Sequence, residues 1–519
     1  MNKAWLDNAV SWAADLKFED IPTDVVEEAK NQIFSTLSAI QLGRQSEEGR
    51  KISLSFGLSG EDGIAEVLKR SPKEAASVMA SWSMVHDFDD VMLGGHTGHS
   101  TVIVPLVLAL SSGSGSAEEI ITAQVTANEI AARINIACAL GQTRGQMASH
   151  LHLVATAIAR AKFLGMGREM LRKSIIFSLS STGKQSLPAF LGSDAKFFCA
   201  STAIRSGWES CDIALSGLYP SDNILFGRAG FFETMVPYCR PELIDNIGSE
   251  WFTLTNSIKI YPSCGYISST IDCVYMLMSK GGIDSADIDS VEIKTNIFNY
   301  GVEKLSQLYL KNSTVKSVSS LTFCPTYIVA STLVYGKFTV DNLRKDSVED
   351  PAVWALMKKI SLKYDAKHSA ASLMTGVPVG IVLSNAPFTK AFGFISKLSG
   401  LVFSGESRLK LWFYRMLLFY SWWTSKKESF NDISELKKKL PSTVKITMND
   451  GVIHVAEQSI PRGFLGNSDW LEKRRYLHEK YRSGMGSISS KERIESNIAI
   501  IDDFQHRSID SLFNLLHIE

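Results

Sequence analysis

The 519-residue sequence has no surplus of charge of either sign: 54 lysines and arginines stand against 54 aspartates and glutamates. A nucleic-acid binder ordinarily carries a basic excess or stripe, so no nucleic-acid partner is expected. Long apolar runs are missing too, and none reaches the roughly 18 uncharged residues a membrane-spanning helix needs. The nearest, Leu409 to Trp423, is interrupted by Lys410 and Arg415. Cysteine is sparse: seven residues are scattered without a C-x-x-C pair. That spacing removes the zinc-ribbon and dithiol signatures and reads as buried thiols in a reducing compartment. Met1 to Phe18 lacks an apolar core and a small-residue cleavage site, so no signal peptide is expected. The expectation is a soluble, cytoplasmic protein with no membrane partner. Internal repeats and low-complexity tracts are absent.

What remains is an ordinary globular composition, 45% apolar and 21% charged, over a length that one hydrophobic core rarely organises. Val25, Val26, Ala29, Ile33, Leu37 and Ile40 recur at helical spacing after Ile21-Pro22-Thr23, with Gly43 as the expected stop. Ser114 to Glu119 reads as a helix start, with small capping residues ahead of acids in the first turn. Ile120 to Leu140, Leu153 to Leu164 and Met170 to Leu179 are apolar nearly all round, as helices packed inside a domain are. The character changes near residue 256. Ser290 to Asn296 alternates with period two, and so does Thr443 to Met448, followed by Asn449-Asp450-Gly451 and Val452 to Val455. Two such runs around Asn-Asp-Gly predict a hairpin. Helix is expected over Leu321 to Val334, and again after Pro461-Arg462-Gly463. The predicted fold is mostly α. A large all-helical domain is built from both chain ends (1–256 and 464–519), with an α+β domain, 257–463, inserted into it.

Five of the ten histidines fall between residues 86 and 152: His86, His96, His99, His150 and His152. The first three frame His86-Asp87-Phe88-Asp89-Asp90 and the glycine-rich Gly94-Gly95-His96-Thr97-Gly98-His99-Ser100. Glycines let a ligand approach the backbone closely, and imidazole beside carboxylate is equipment for moving protons near neutral pH. Two other readings stand beside this one: a solvated loop, and a metal-dependent hydrolase using H-x-x-H, H-x-H and nearby aspartates. The run D-F-D-D is not the D-D-x-x-D of terpene synthases. Arg144-Gly145 to His150 forms a second small-residue turn with a histidine. Lys196 stands at the mouth of another helix, and Lys259-Ile-Tyr261-Pro-Ser-Cys264 lies where the helical part ends.

In this order, with Phe323-Cys-Pro-Thr-Tyr327-Ile-Val-Ala330 further on, these pieces resemble the MmgE/PrpD family. That group contains 2-methylcitrate dehydratase, cis-aconitate decarboxylase and iminodisuccinate epimerase. The resemblance runs through essentially the whole chain and is weakest from about 370 to 440. It implies that the inserted α+β domain is a lid, that the site needs no cofactor and no metal, and that the chain forms a homodimer. It also implies a lyase acting on a small carboxylate by proton transfer next to a carboxylate or carbonyl. Dehydration is preferred, with decarboxylation, epimerisation and a repurposed cyclase-like role as alternatives. Asp87, His96 or His99, His150, Lys196 and Tyr327 take the catalytic positions. Asp90, Thr97, Arg144, His152, Lys259, Tyr261 and Ser268 are assigned to substrate binding. Cys199 and Ser268 stand where the family commonly has histidines, and the usual H-P-T is missing after Arg144-Gly145. A substrate with fewer carboxylates, or a larger and more apolar one, is therefore expected. The aromatic segment 409–423 is expected to be a packed lid or dimer helix, with a membrane-surface or partner helix as the alternative.

Overall fold

The computed structural model describes residues 3–59, 64–145, 148–180, 182–239, 246–310, 315, 317–374, 378–384, 386–425, 436–486 and 489–516. Helix dominates, at 67% against 8% strand. The chain divides into two compact units. One holds Met1–Ser186, Ala195–Ile258 and Trp470–Glu519; the other holds Leu187–Asp194 and Lys259–Asp469.

In the first unit the helix Thr23–Arg44 is buried along almost its whole length. The helix ends at Arg44, one residue past the expected close at Gly43. Gly43 also marks a crossing: a Cβ there would lie 1.8 Å from the carbonyl oxygen of Trp82, in the helix Pro72–Ser83. The helix Ala117–Ala137 begins on a reciprocal cap, with Ser116 Oγ accepting from the Glu119 amide and Glu119 Oε2 accepting from the Ser116 amide. It packs beside Ala148–Phe163, which in turn meets Cys199–Leu215 and Arg168–Ser180. Small alanines on all faces permit this close stacking.

The far end of the chain returns to this unit as the helix Trp470–Met485. Lys473 Nζ lies 3.0 Å from Glu28 Oε2 and donates at 2.6 Å to the carbonyl of Asn256. Asn31 donates to the Trp470 carbonyl at 2.8 Å. Burial pushes the Glu28 carboxyl up, with Lys473 pulling it back down. Glu129 fixes a second crossing by accepting from the amides of Phe252 and Thr253, both at 2.8 Å, while Arg133 pairs with it at 2.5 Å. These anchors bring β1 (Asp90–Val91) against β2 (Ser257–Ile258), antiparallel.

The second unit is built on β3 (Ile288–Thr295), β4 (Ile360–Tyr364), β5 (Ser442–Met448) and β6 (Ile453–Gln458), in the order β4-β3-β5-β6. The β3–β4 pair is parallel and the others are antiparallel. The predicted hairpin is β5–β6, turning at Gly451 (φ +87°) with Asp450 Oδ1 accepting from the Val452 amide. The stretch 321–334 divides into Val318–Thr322 and Pro325–Tyr335, since a proline disfavours helix in the residue before it. β4 was not foreseen; five residues carry too little alternation to separate a strand from a loop.

Gly43→Ala should lower the urea midpoint by the equivalent of ~2–3 kcal/mol, the cost of forcing atoms into a packed crossing. Gly393→Ala, on the helix Phe388–Val402 with open space at the Cβ, should be neutral or stabilise by up to ~1 kcal/mol. Equal effects of the two would contradict the crossing.

Candidate active site

Three aspartates within four residues, Asp87, Asp89 and Asp90, are all buried in the first unit. A buried carboxylate is tolerated only when paired or hydrogen-bonded, and each of these has a different solution. Asp87 sits at a φ of +52°, a left-handed conformation that costs a non-glycine residue on the order of 1 kcal/mol. Its Oδ1 lies 2.9 Å from Lys196 Nζ, which is fully buried and also donates to the Met84 carbonyl at 3.0 Å. Lys196 is supplied by the short 3-10 turn Asp194–Phe198, ahead of the helix Cys199–Leu215.

Asp89 is shared by two histidines. Its Oδ2 is 2.5 Å from His96 Nδ1 and 3.1 Å from His99 Nε2. His96 Nδ1 also lies 3.1 Å from the carbonyl oxygen of Asp90. A carbonyl only accepts, so Nδ1 carries a hydrogen, and Nε2 is the ring nitrogen left for proton exchange. His96 Nε2 forms no hydrogen bond among the described residues. The His96 side chain is 29% exposed, whereas that of His99 is 3% exposed and its Nδ1 meets Ser83 Oγ at 2.6 Å. Of the two loop histidines, His96 therefore offers the accessible nitrogen.

Asp90 faces inward. Its Oδ2 accepts from Gln32 Nε2 at 2.8 Å, and Gln32 also donates to Thr97 Oγ1 at 2.8 Å. Gln124 and Asn128 each donate to Gln32 Oε1 at 2.8 Å, which fixes the amide's orientation. Burial, then the charge of Asp89, pushes the Asp90 carboxyl up to about 6. A Cβ at Gly98 would lie 2.4 Å from Asp90 Oδ1, so the helix start Gly98–Thr101 meets the loop only because that residue is glycine. Asp90 and Thr97, assigned to substrate binding from the sequence, act here in holding the loop's shape.

His150 and His152 share the helix Ala148–Phe163 and are fully buried. Burial, then Lys184, pulls His150 down to about 3; burial, then His99 and His96, holds His152 well below its ordinary value. Both are neutral imidazoles at pH 7, so His150 brings no positive charge to an anion. His152 Nδ1 reaches Ser100 Oγ at 3.2 Å, and its ring meets His99 edge-on at 5.6 Å. His150 stands edge-on to Phe231 at 5.4 Å, with neither nitrogen hydrogen-bonded among the described residues. The Arg144 side chain lies outside the described residues.

The remaining candidates belong to the second unit. Tyr327 is fully buried and donates its one hydroxyl hydrogen to the Asn342 carbonyl at 2.7 Å, so a role as proton donor does not fit this arrangement. Tyr261 donates to Asp272 Oδ1 at 2.7 Å and accepts from Arg462, forming a core triad. Lys259 and Ser268 are buried, the latter opening the helix Ser268–Met278. Sequence reasoning overlooked two groups in the first unit. Asp89 lay in view within D-F-D-D without being given a role. Lys480 donates to the Phe88 carbonyl at 2.6 Å from 392 positions away, and no local signal marks it.

Asp89, His96 and His99 each offer one ligand atom, all within 4.8 Å of one another, and so compose a potential metal-binding group. A hydrogen on His96 Nδ1 leaves Nε2 as the ring nitrogen open to either a proton or a metal ion.

The raised Asp90 pKa fixes the sign of a pH effect. The folded state holds the Asp90 proton more tightly than the unfolded chain, so this contribution is full below about pH 4 and is lost as pH rises through about 6. Asp90→Asn should therefore gain stability relative to the unsubstituted protein between pH 4 and 7, by ~1–3 kcal/mol. Urea midpoints of the two proteins across that range check it, and a constant difference would remove the ionisation from the account.

Residues 8–243 match the MmgE/PrpD N-terminal domain, and residues 261–384 match the MmgE/PrpD C-terminal domain. Among curated proteins, a cis-aconitate decarboxylase of Aspergillus terreus (strain NIH 2624 / FGSC A1156) is 24% identical over 388 residues, covering 67% of this chain and 76% of that protein. The cis-aconitate decarboxylase-like protein oryM of Aspergillus oryzae (strain ATCC 42149 / RIB 40) is 21% identical over 398 residues, 71% of this chain and 81% of its own. With both domains matched across most of its length, the chain belongs to the MmgE/PrpD family.

Proposed function

We propose that this protein is a cofactor-independent lyase that decarboxylates a small unsaturated polycarboxylate. The observation that carries the reading is the Asp89–His96 pair: a half-exposed imidazole whose Nδ1–H is held by a buried carboxylate, leaving Nε2 for proton transfer. In the proposed step the bond between a carboxylate and its carbon breaks and carbon dioxide leaves. The electron pair spreads over the neighbouring double bond and a second carboxylate, and protonated His96 delivers Nε2–H to carbon. Asp89 offsets the positive charge His96 carries before transfer. Lys196, held by Asp87, and a neutral N–H from His150 are assigned the part of steadying the substrate's oxygens. The second unit acting as a lid, and a homodimeric state, are parts of the same proposal.

The choice of decarboxylation over dehydration or epimerisation rests on the relatives, which are named as cis-aconitate decarboxylases. Dehydration, the first preference from sequence alone, has no separate support. The residues at Cys199 and Ser268 still favour a substrate that differs from the relatives' in charge or size.

The test is proton NMR in deuterium oxide with metal-stripped protein and cis-aconitate, 2-methylcitrate, citrate or iminodisuccinate. Loss of one carboxylate from an unsaturated acid, with one solvent deuterium in the product, is the expected result. Loss of water from 2-methylcitrate would replace decarboxylation with dehydration, and turnover only after metal is restored would transfer the histidines to the metal reading. His96→Ala and Lys196→Ala should each lower kcat about 10²–10⁴-fold, the usual contribution of positioned acid–base groups. Undiminished turnover in these and in His99→Ala would sink the assignment.

A further inference from the structure

The helix Arg408–Ser425, expected as a lid or dimer helix with a membrane-surface or partner helix as the alternative, is packed on one face. Leu418 and Trp422 are buried to 1% exposure, with Trp422 Nε1 donating to the Leu383 carbonyl at 2.7 Å. Tyr414 stacks on Phe403 at 4.2 Å, and Arg415 donates to Ser399 Oγ at 3.3 Å. The opposite stripe, Leu409, Trp412, Phe413, Met416, Tyr420 and Trp423, is open to solvent, with Trp412 57% and Trp423 56% exposed. Those positions follow helical spacing, so they line one face. Phe388 and Phe392 from the preceding helix are exposed as well and stack at 6.2 Å. Aromatic side chains carry about 150–250 Å² each, so eight large groups near half exposure present on the order of 900 Å². The largest apolar patch of an ordinary monomer is ~300–600 Å². This segment lies beyond residue 384, where the family match ends.

Charge decides what covers the face. Between residues 386 and 425 there are five cations, Lys390, Lys397, Arg408, Lys410 and Arg415, against Glu406 alone, in a chain whose net charge is zero. Lys390, Lys397, Arg408 and Lys410 are exposed. A symmetric pairing of two copies through this segment would set an excess of cations against itself. An anionic lipid surface complements that excess, and Trp and Tyr favour the water–lipid boundary. No helix among the described residues is long and apolar enough to cross a membrane. We propose that the Phe388–Ser425 segment is a membrane-surface dock, its apolar stripe entering the headgroup region of an anionic bilayer while its lysines and arginines face the phosphates.

The test is flotation of the full-length protein with vesicles of phosphatidylcholine plus phosphatidylserine, or of phosphatidylcholine alone, at low salt. Flotation with the anionic vesicles, at least ~10-fold weaker with the neutral ones, is expected. Trp412→Ser with Trp423→Ser should abolish it. Lys390→Glu with Lys397→Glu should weaken it by about fivefold per cation. Circular dichroism and thermal midpoints unchanged in both variants would show that the fold is intact. Failure of the unsubstituted protein to float, or variants that float as well as it does, would overturn the proposal. So would a dimer that the tryptophan substitutions convert to monomer without any vesicle binding, since the face would then belong to a second copy.

Discussion

The first unit is organised around a single difficulty: three carboxylates in four residues, all withdrawn from water. Desolvating one carboxylate costs several kcal/mol, and neighbouring like charges add to that cost. The chain answers with three unlike partners. Lys196 neutralises Asp87, two imidazoles share Asp89, and Gln32 hydrogen-bonds to Asp90. Each partner comes from a different element, so satisfying the acids also fixes how those elements lie together. The left-handed backbone at Asp87 and the glycine at 98 are the local conditions for fitting the acids into so small a space. Unpaired, the same loop would favour unfolding.

Much of this could be read before any coordinates, and the reasons are specific. The alternating runs of β3, β5 and β6 and the Asn-Asp-Gly turn show because strands and tight turns have local rules. The Ser116–Glu119 cap shows for the same reason. Gly43 was visible as the glycine closing its helix, but its crossing with Trp82 has no local signature. The clustering of histidines with aspartates pointed to a stretch of chain whose side chains the fold does bring together. It could not divide labour within that stretch, because a role depends on which atom meets which. Asp90 and Thr97 were given a substrate-binding role and Asp89 none; only the inward turn toward Gln32 shows the difference between them. His150 and His152 were assigned catalytic and substrate-binding places with no charge state, and it is burial that pulls both below the ordinary imidazole range. Resemblance to the family supplied the order of the motifs, which no single motif could have carried.

The neutral imidazoles sharpen what this site asks of a substrate. Lys196 is already matched by Asp87, and the histidines on the helix Ala148–Phe163 add no charge of their own. On the proposed function, an acid held in this unit would meet directed hydrogen bonds, and leaving a buried donor unmet would cost binding.

Lys480 gives the acidic loop a peculiar timetable. Its ammonium donates to the Phe88 carbonyl, between Asp87 and Asp89, and stands 4.0 Å from the centre of the Phe88 ring. During synthesis the loop is made nearly four hundred residues before that lysine exists. Its neighbour Lys473 closes a still longer span, to Glu28. At ~5–20 residues per second, the acids wait tens of seconds for the last helix that holds them. A nascent chain carrying the whole matched N-terminal domain is still without this anchor, and the loop reaches its finished shape only as the C-terminal helices emerge.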